Sequence, residues 1–267
     1  MRCDGLHFTD PHERRFARFW IGLWASVCTL STLITCLTFL ADTQRFLYPE
    51  RPIVCLSLCY MLVGIGYIIP IAIGHEAIIC EQYGSSTTKL LRHDTSGPPL
   101  CTLTFVLVYF FGMAASSWWV ILTLTWYMAA GLKWGQESIA RYSPYYHVVA
   151  WGLPACQTVA VLALSAVDGD ALAGICYMGN ADAGNARLFL LAPLSAHVML
   201  GVGFLVAGFI ALFRIRSSLR RQGLAKTDKL EKLMLRIGVF SVLYTVGLPA
   251  VVVDHLTGSK THAQTTH

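Results

Sequence analysis

The sequence predicts an all-α fold, a polytopic transmembrane helix bundle. Of the 267 residues, 55% are hydrophobic and only 13% are charged, about half the charge content of an ordinary soluble domain. The apolar residues fall in long runs nearly free of fixed charge, each near the roughly 20 residues a helix needs to cross a hydrocarbon core. A soluble bundle with such helices buried at its centre would need polar outer helices elsewhere, and the chain offers none.

Six spans are expected: Phe19–Ala41, Ile53–Ile73, Thr102–Tyr127, His147–Val167, Leu188–Ile210 and Ile237–Val253. Ahead of them, Met1–Arg18 is polar and carries Arg2, Arg14, Arg15 and Arg18 without an apolar signal-peptide core. Either Phe19–Ala41 is itself the insertion signal or the natural amino terminus lies upstream. The first connection holds Tyr48, Pro49, Glu50, Arg51 and Pro52, and its prolines stiffen a tight turn and start the second helix. The second, Gly74–Leu100, is polar and rich in Gly, Ser and Thr, as an exposed loop should be.

In the third span the run Ser116–Trp119 leads to Trp126, Tyr127, Lys133 and Trp134. Aromatic residues at a span end usually sit at headgroup level, and Trp126, Tyr127 and Trp134 are expected there. The fourth connection holds Asp168, Asp170 and Cys176, too few carboxylates for a calcium loop. In the fifth, Arg214, Arg216, Arg220, Arg221, Lys226, Lys229, Lys232 and Arg236 face only Asp228 and Glu231. Composition reads it as an anchor beside anionic lipid. After Val253 the chain turns polar, and no seventh span is expected.

Orientation follows from charge and from cysteine. With the amino terminus outside, the cytosolic connections Asp42–Pro52, Lys133–Arg141 and Arg214–Arg236 hold 12 of the 20 basic residues against 5 of the 15 acidic ones, the expected positive-inside bias. The four arginines before the first span pull the other way. Cys28, Cys36, Cys55, Cys59 and Cys156 fall inside spans, and the remaining Cys3, Cys80, Cys101 and Cys176 all lie on one side. An even set confined to one face suits an oxidising lumen, so the amino terminus is expected outside and the four cysteines paired.

Catalytic and cofactor chemistry has little to work with. The spans hold no Asp or Glu at depth, where an ionisable group would mark an ion pathway or active site. His197 is the main exception and reads as a hydrogen-bonded packing residue. The motifs HExxH, P-loop, dinucleotide fingerprint and GxSxG are missing, and every lysine lies outside the spans or at a flank. No enzyme activity, cofactor, metal or nucleic-acid partner is expected. Pro70, Pro154, Pro193 and Pro249 suit helices that kink.

Several stretches carry more specific information. They are Arg45-Phe46-Leu47-Tyr48-Pro49-Glu50-Arg51-Pro52-Ile53, Tyr109-Phe110-Phe111-Gly112-Met113-Ala114 with Trp118-Trp119-Val120-Ile121-Leu122, Leu132-Lys133-Trp134-Gly135, Val167-Asp168-Gly169-Asp170 with Cys176-Tyr177, and Leu212-Phe213-Arg214-Ile215-Arg216. The last runs from Lys226-Thr227-Asp228-Lys229 through Arg236 to Val246. Together they closely resemble the Frizzled family, Wnt receptors grouped with Smoothened in a class of seven-helix G-protein-coupled receptors, from about Cys3 to Val246. The resemblance divides the chain into residues 1–18, an extracellular linker remnant, 19–253, a Frizzled-type transmembrane domain, and 254–267, a divergent polar tail.

The resemblance implies disulfides Cys101–Cys176 and Cys3–Cys80, a switch position at Arg236, and a plasma-membrane receptor. It implies a cytosolic surface for Dishevelled or a G protein, formed by Arg45, Arg51, Lys133, Trp134, Arg214, Arg216, Lys226, Lys229 and Lys232. Receptor homo- or hetero-oligomers are a further expected partnership. Family members also carry a Wnt-binding cysteine-rich domain, a seventh helix and a Lys-Thr-x-x-x-Trp motif. None is recognised here, since Lys260 and Thr261 are followed by Thr265 where Trp should stand. A six-helix product that modulates full-length receptors, or has no function, is therefore the alternative expectation.

Overall fold

The computed structural model describes residues 11–43, 47–74, 78, 80–82, 89–91, 99–169, 174–178 and 183–221. The expected span Ile237–Val253 and the residues Cys3, Arg45, Lys226, Lys229, Lys232 and Arg236 lie outside them. Among the described residues the elements run α1 (Pro11–Ala41), α2 (Arg51–Ile73), β1 (Cys80–Gln82), β2 (Lys89–Leu91), α3 (Pro99–Ala130), α4 (Gln136–Ala140), α5 (Ser143–Ala163), β3 (Val167–Gly169) and β4 (Cys176–Met178). Then α6 opens with the turn Ala183–Ala186, passes through the π-helical turn Arg187–Leu191 and continues as Ala192–Arg221. A second π-helical turn, Val106–Phe110, lies within α3. Among the described residues, five helical runs are long and apolar enough to cross a membrane: Arg15–Ala41, Arg51–Ile73, Pro99–Ala130, Ser143–Ala163 and Gly184–Ile215.

α1 shows how a Ser- and Thr-rich segment can be a span. The hydroxyls of Ser26, Thr29, Thr32, Thr35 and Thr38 each return to a carbonyl one turn back, at 2.7–3.2 Å. Bonded to their own helix, they present no unsatisfied donor to lipid. Its start at Pro11 brings residues 11–18, read from the sequence as linker, into the helix.

Two compact units make up the chain. One takes in Met1–Thr43, Val54–Ala115 and Trp151–Leu190; the other takes in Gln44–Ile53, Ser116–Ala150 and Leu191–His267. In the first, α1 and α2 pack antiparallel, because a Cβ on Gly64 would overlap Thr29 and approach Ala25, and one on Gly22 would meet Ile71 at 3.0 Å. Gly66 gives α3 the same access, since a Cβ there would lie 2.8 Å from Val108 Cγ2. The core of this unit gathers Ile78, Cys101, Phe105, Tyr109, Met113, Val161, Val167, Cys176, Met178 and Leu190. β3 and β4 form an antiparallel hairpin with Val167 opposite Met178 and Gly169 opposite Cys176. β1 and β2 form another, pairing Cys80 with Leu91, inside a connection the sequence reads as loop.

The span boundaries and one aromatic placement differ from the sequence reading. The fourth span does not run to Val167: α5 starts at Ser143 and ends at Ala163, and Val167 opens β3. Ser165 turns left-handed (φ 48°), and the bonds from Ser165 N–H to Leu162 O and Ala166 N–H to Val161 O close the helix. Both bonds belong to the Schellman end, usually made with glycine. The fifth span does not stop at Ile210, because α6 continues to Arg221. At 1.5 Å per residue that adds about 16 Å of helix, so Arg214, Arg216, Arg220 and Arg221 stand on a helix rather than in a loop. Trp126, expected at headgroup level, is 0% exposed. Gly208 leaves the space its ring fills.

Candidate functional site

One end of α3 carries a cap. Cys101, third residue of the helix, is bonded to Cys176 on β4 with S–S 2.09 Å and Cα–Cα 5.3 Å. This tie holds the β3–β4 hairpin against the helix start and buries Val167, Cys176 and Met178. Tyr177, between the two buried residues of β4, meets Tyr109 edge-on at 6.2 Å. Tyr109 stacks on Phe105 at 5.2 Å and donates its hydroxyl to Phe189 O at 2.7 Å. That bond joins the π turn of α3 to the π turn of α6. Extra-residue turns of this kind often mark functional places in helices, and a run that is apolar throughout carries no periodic signal of them.

The other end of α3 belongs to the second unit. There α3 and α6 run parallel along a seam: Ser117 meets His197, Trp119 meets Gly201, and Trp126 meets Gly208. A Cβ on either glycine would overlap the facing indole, and both rings are fully buried. Trp126 also lies 5.0 Å from Phe209, and Tyr127 stacks on Phe204 at 6.2 Å. His197 is held twice, Nδ1 to Pro193 O at 2.7 Å and Nε2 to Ser117 Oγ at 3.1 Å. A carbonyl only accepts, so Nδ1 carries a proton; in the neutral ring Nε2 accepts from the serine hydroxyl. The histidine is a hydrogen-bonded packing residue, as its sequence setting suggested.

Beyond the seam the connections close on one another. Tyr48, 4% exposed, places its hydroxyl 2.7 Å from Ser143 Oγ, and its ring lies 6.1 Å from that of Tyr146. Tyr146 donates to Met128 Sδ at 3.6 Å, and Thr125 Oγ1 reaches Pro49 O at 3.5 Å. These contacts tie the turn before α2 to the end of α3 and the start of α5. Arg51, Lys133, Trp134 and Arg214 are exposed around this end. Arg216 lies on α6. Because α3 and α6 run parallel in this unit, Lys133, just past the end of α3, and Arg214, on the extended part of α6, lie toward the same end of the two helices. Sequence reasoning found these charges and the Cys101–Cys176 pair, and missed Tyr48, Ser143, Tyr146, Gly201 and Gly208. The heptad spacing shared by Trp119/Trp126 and Gly201/Gly208 was the available signal. Among the described residues, no three His, Cys, Asp or Glu side chains converge on a metal site.

Long apolar helices, hydroxyls folded back on their own backbones and a disulfide-tied hairpin at one end define a multi-pass helical membrane protein. The Frizzled/Smoothened membrane-region model matches residues 8–266, past Val246 where the resemblance was read to end. The chain belongs to the Frizzled/Smoothened family and is a Frizzled-type receptor membrane region. It is 56% identical to Frizzled-8 of Xenopus laevis over 253 residues, 95% of this chain and 43% of that protein. Identity to Frizzled-5 of Danio rerio is 56% over 251 residues, covering 94% and 41%. To Frizzled-2 of Drosophila melanogaster it is 53% over 255 residues, covering 94% and 35%. The chain thus spans less than half the length of these relatives.

Proposed function

We propose that the chain is the membrane core of a Wnt receptor that couples an extracellular ligand to Dishevelled or a G protein in the cytosol. The observation that carries the reading is the polarity of α3. A disulfide sits at its third residue, and Lys133 and Trp134 follow its last residue, at the other end of 32 residues. Oxidised cysteines favour the outside for the first end, and basic residues favour the cytosol for the second. Family membership supports the ligand and effector classes. On this reading Wnt is captured by a domain outside residues 1–267, and the bundle shifts between two arrangements that the ligand biases.

Arg51, Lys133, Trp134 and Arg214, with Arg45, Arg216, Lys226, Lys229 and Lys232, form the effector surface, and Arg236 is the switch position. The disulfide Cys3–Cys80 is a second extracellular tie. The test is Dishevelled recruitment in cells lacking endogenous Frizzled receptors, comparing the chain in its complete product with an Arg51→Gln/Lys133→Gln/Arg214→Gln variant. These side chains are exposed, so the variant should reach the surface normally and recruit several-fold less. Equal recruitment at equal surface level would remove these residues from the effector surface.

A further inference from the structure

From the end of α3 to the first turn of α5 the chain exposes a row of rings. Trp134 and Tyr142 lie 5.9 Å apart and Tyr142 and Tyr145 6.4 Å apart, with exposures of 39%, 42% and 69%. The row is no frayed loop, because Ile139 on the intervening α4 is fully buried and Trp134 N–H bonds Met128 O at 3.1 Å. Lys133 and Arg141, both exposed, each precede one of the two touching rings. Lys133 is held at φ 55°, a left-handed conformation that costs a non-glycine residue about 1 kcal/mol. A lysine at this helix end, where glycine would sit without strain, sets a local preference against a charge.

We infer that this row is a binding site for an anionic phospholipid of the adjoining leaflet. Rings with an apolar body and a polar edge suit the headgroup layer. Lysine and arginine stems lie along apolar surface while their charges reach the phosphate, so Lys133 and Arg141 supply the complementary charge. The site rests on the reading that this end of α3 meets the cytosolic leaflet, and it adds lipid to what Lys133 and Trp134 contact at the edge of the effector surface.

The test uses the full chain in nanodiscs containing either phosphatidylserine or phosphatidylcholine brominated near the headgroup. The chain has 7 tryptophans, so Trp134 emission is taken as the difference from Trp134→Phe. Brominated phosphatidylserine should quench that emission at a lower mole fraction than brominated phosphatidylcholine, by about fivefold for each cation. Lys133→Gly should keep or gain thermal stability while losing about fivefold of the preference, which a purely structural lysine would not do. Arg141→Gln should lose a similar factor. Equal quenching by the two lipids overturns the proposal. So does quenching by aqueous acrylamide with none by either lipid, which would leave the face to a protein partner. A lipid preference without Dishevelled recruitment would keep this site and sink the effector reading; recruitment without preference would do the reverse.

Discussion

Two glycines of α6, two residues apart, should respond to the same substitution with opposite signs. At Gly201 an added Cβ would overlap the fully buried ring of Trp119, whereas at Gly203 it would meet nothing within 4 Å. Gly→Ala gains about 0.8–1 kcal/mol of helix propensity at either position. That gain is common to both, so the difference between Gly201→Ala and Gly203→Ala isolates the overpacking, about 1–3 kcal/mol. Thermal unfolding in detergent, followed by a thiol-reactive dye that reaches buried Cys59 on unfolding, measures it. Soluble domains of similar size shift by roughly 2–4 °C per kcal/mol. Gly203→Ala should melt at or above the unmodified chain, and Gly201→Ala several degrees below Gly203→Ala. Trp119→Phe should recover part of the loss, as residues in contact couple non-additively. If the two alanine variants melt together, the Trp119–Gly201 seam does not hold α3 to α6.

Replacing both Cys101 and Cys176 by serine opens a loop whose ends are 75 residues apart. This should lower stability by about 2–5 kcal/mol, and reductant should bring the unmodified chain down to the variant in the same melt. Ser117→Ala removes the donor to His197 Nε2 and should cost about 0.6–2 kcal/mol in the membrane. Ser195→Ala, whose exposed hydroxyl bonds only its own helix, should cost nearly nothing. Tyr48→Phe keeps the ring packing and loses the hydroxyl pair with Ser143, about 1 kcal/mol; Tyr48→Ala also empties a buried site and should cost about 3–5 kcal/mol. Melting curves of purified variants decide each of these.

The membrane class was legible because it depends on composition, and composition is local to each span. Helix ends were less so. Ala163, Leu164, Ser165, Ala166 and Val167 read as one continuing apolar run, and the cap that ends α5 relies on a left-handed serine instead of the glycine that would announce it. The extension of α6 to Arg221 was hidden for the opposite reason: arginine marks the end of an apolar stretch but forms helix well. Trp126 could not be placed from its own neighbourhood, because its burial depends on Gly208, 82 residues further on. The exposed charges of Arg51, Lys133 and Arg214 were legible, since a cation next to a span is driven to its ends. The contact that organises that end, Tyr48 with Ser143, joins residues 95 apart and left no trace in either segment.

On the proposed reading, ligand capture outside changes the arrangement of helices at the basic end. Energy transfer between a small fluorescent tag in α4 and a second tag after Arg221 would report that change. The measurement would be made in the complete product that carries this chain, at the surface of cells lacking other Frizzled receptors. Addition of a Wnt should change the transfer efficiency within the binding time, and the three-residue neutralisation of Arg51, Lys133 and Arg214 should keep that change while reducing Dishevelled recruitment. If the transfer stays constant while a Frizzled-5 control tagged at matching positions responds, the bundle does not transmit Wnt binding and the receptor account fails.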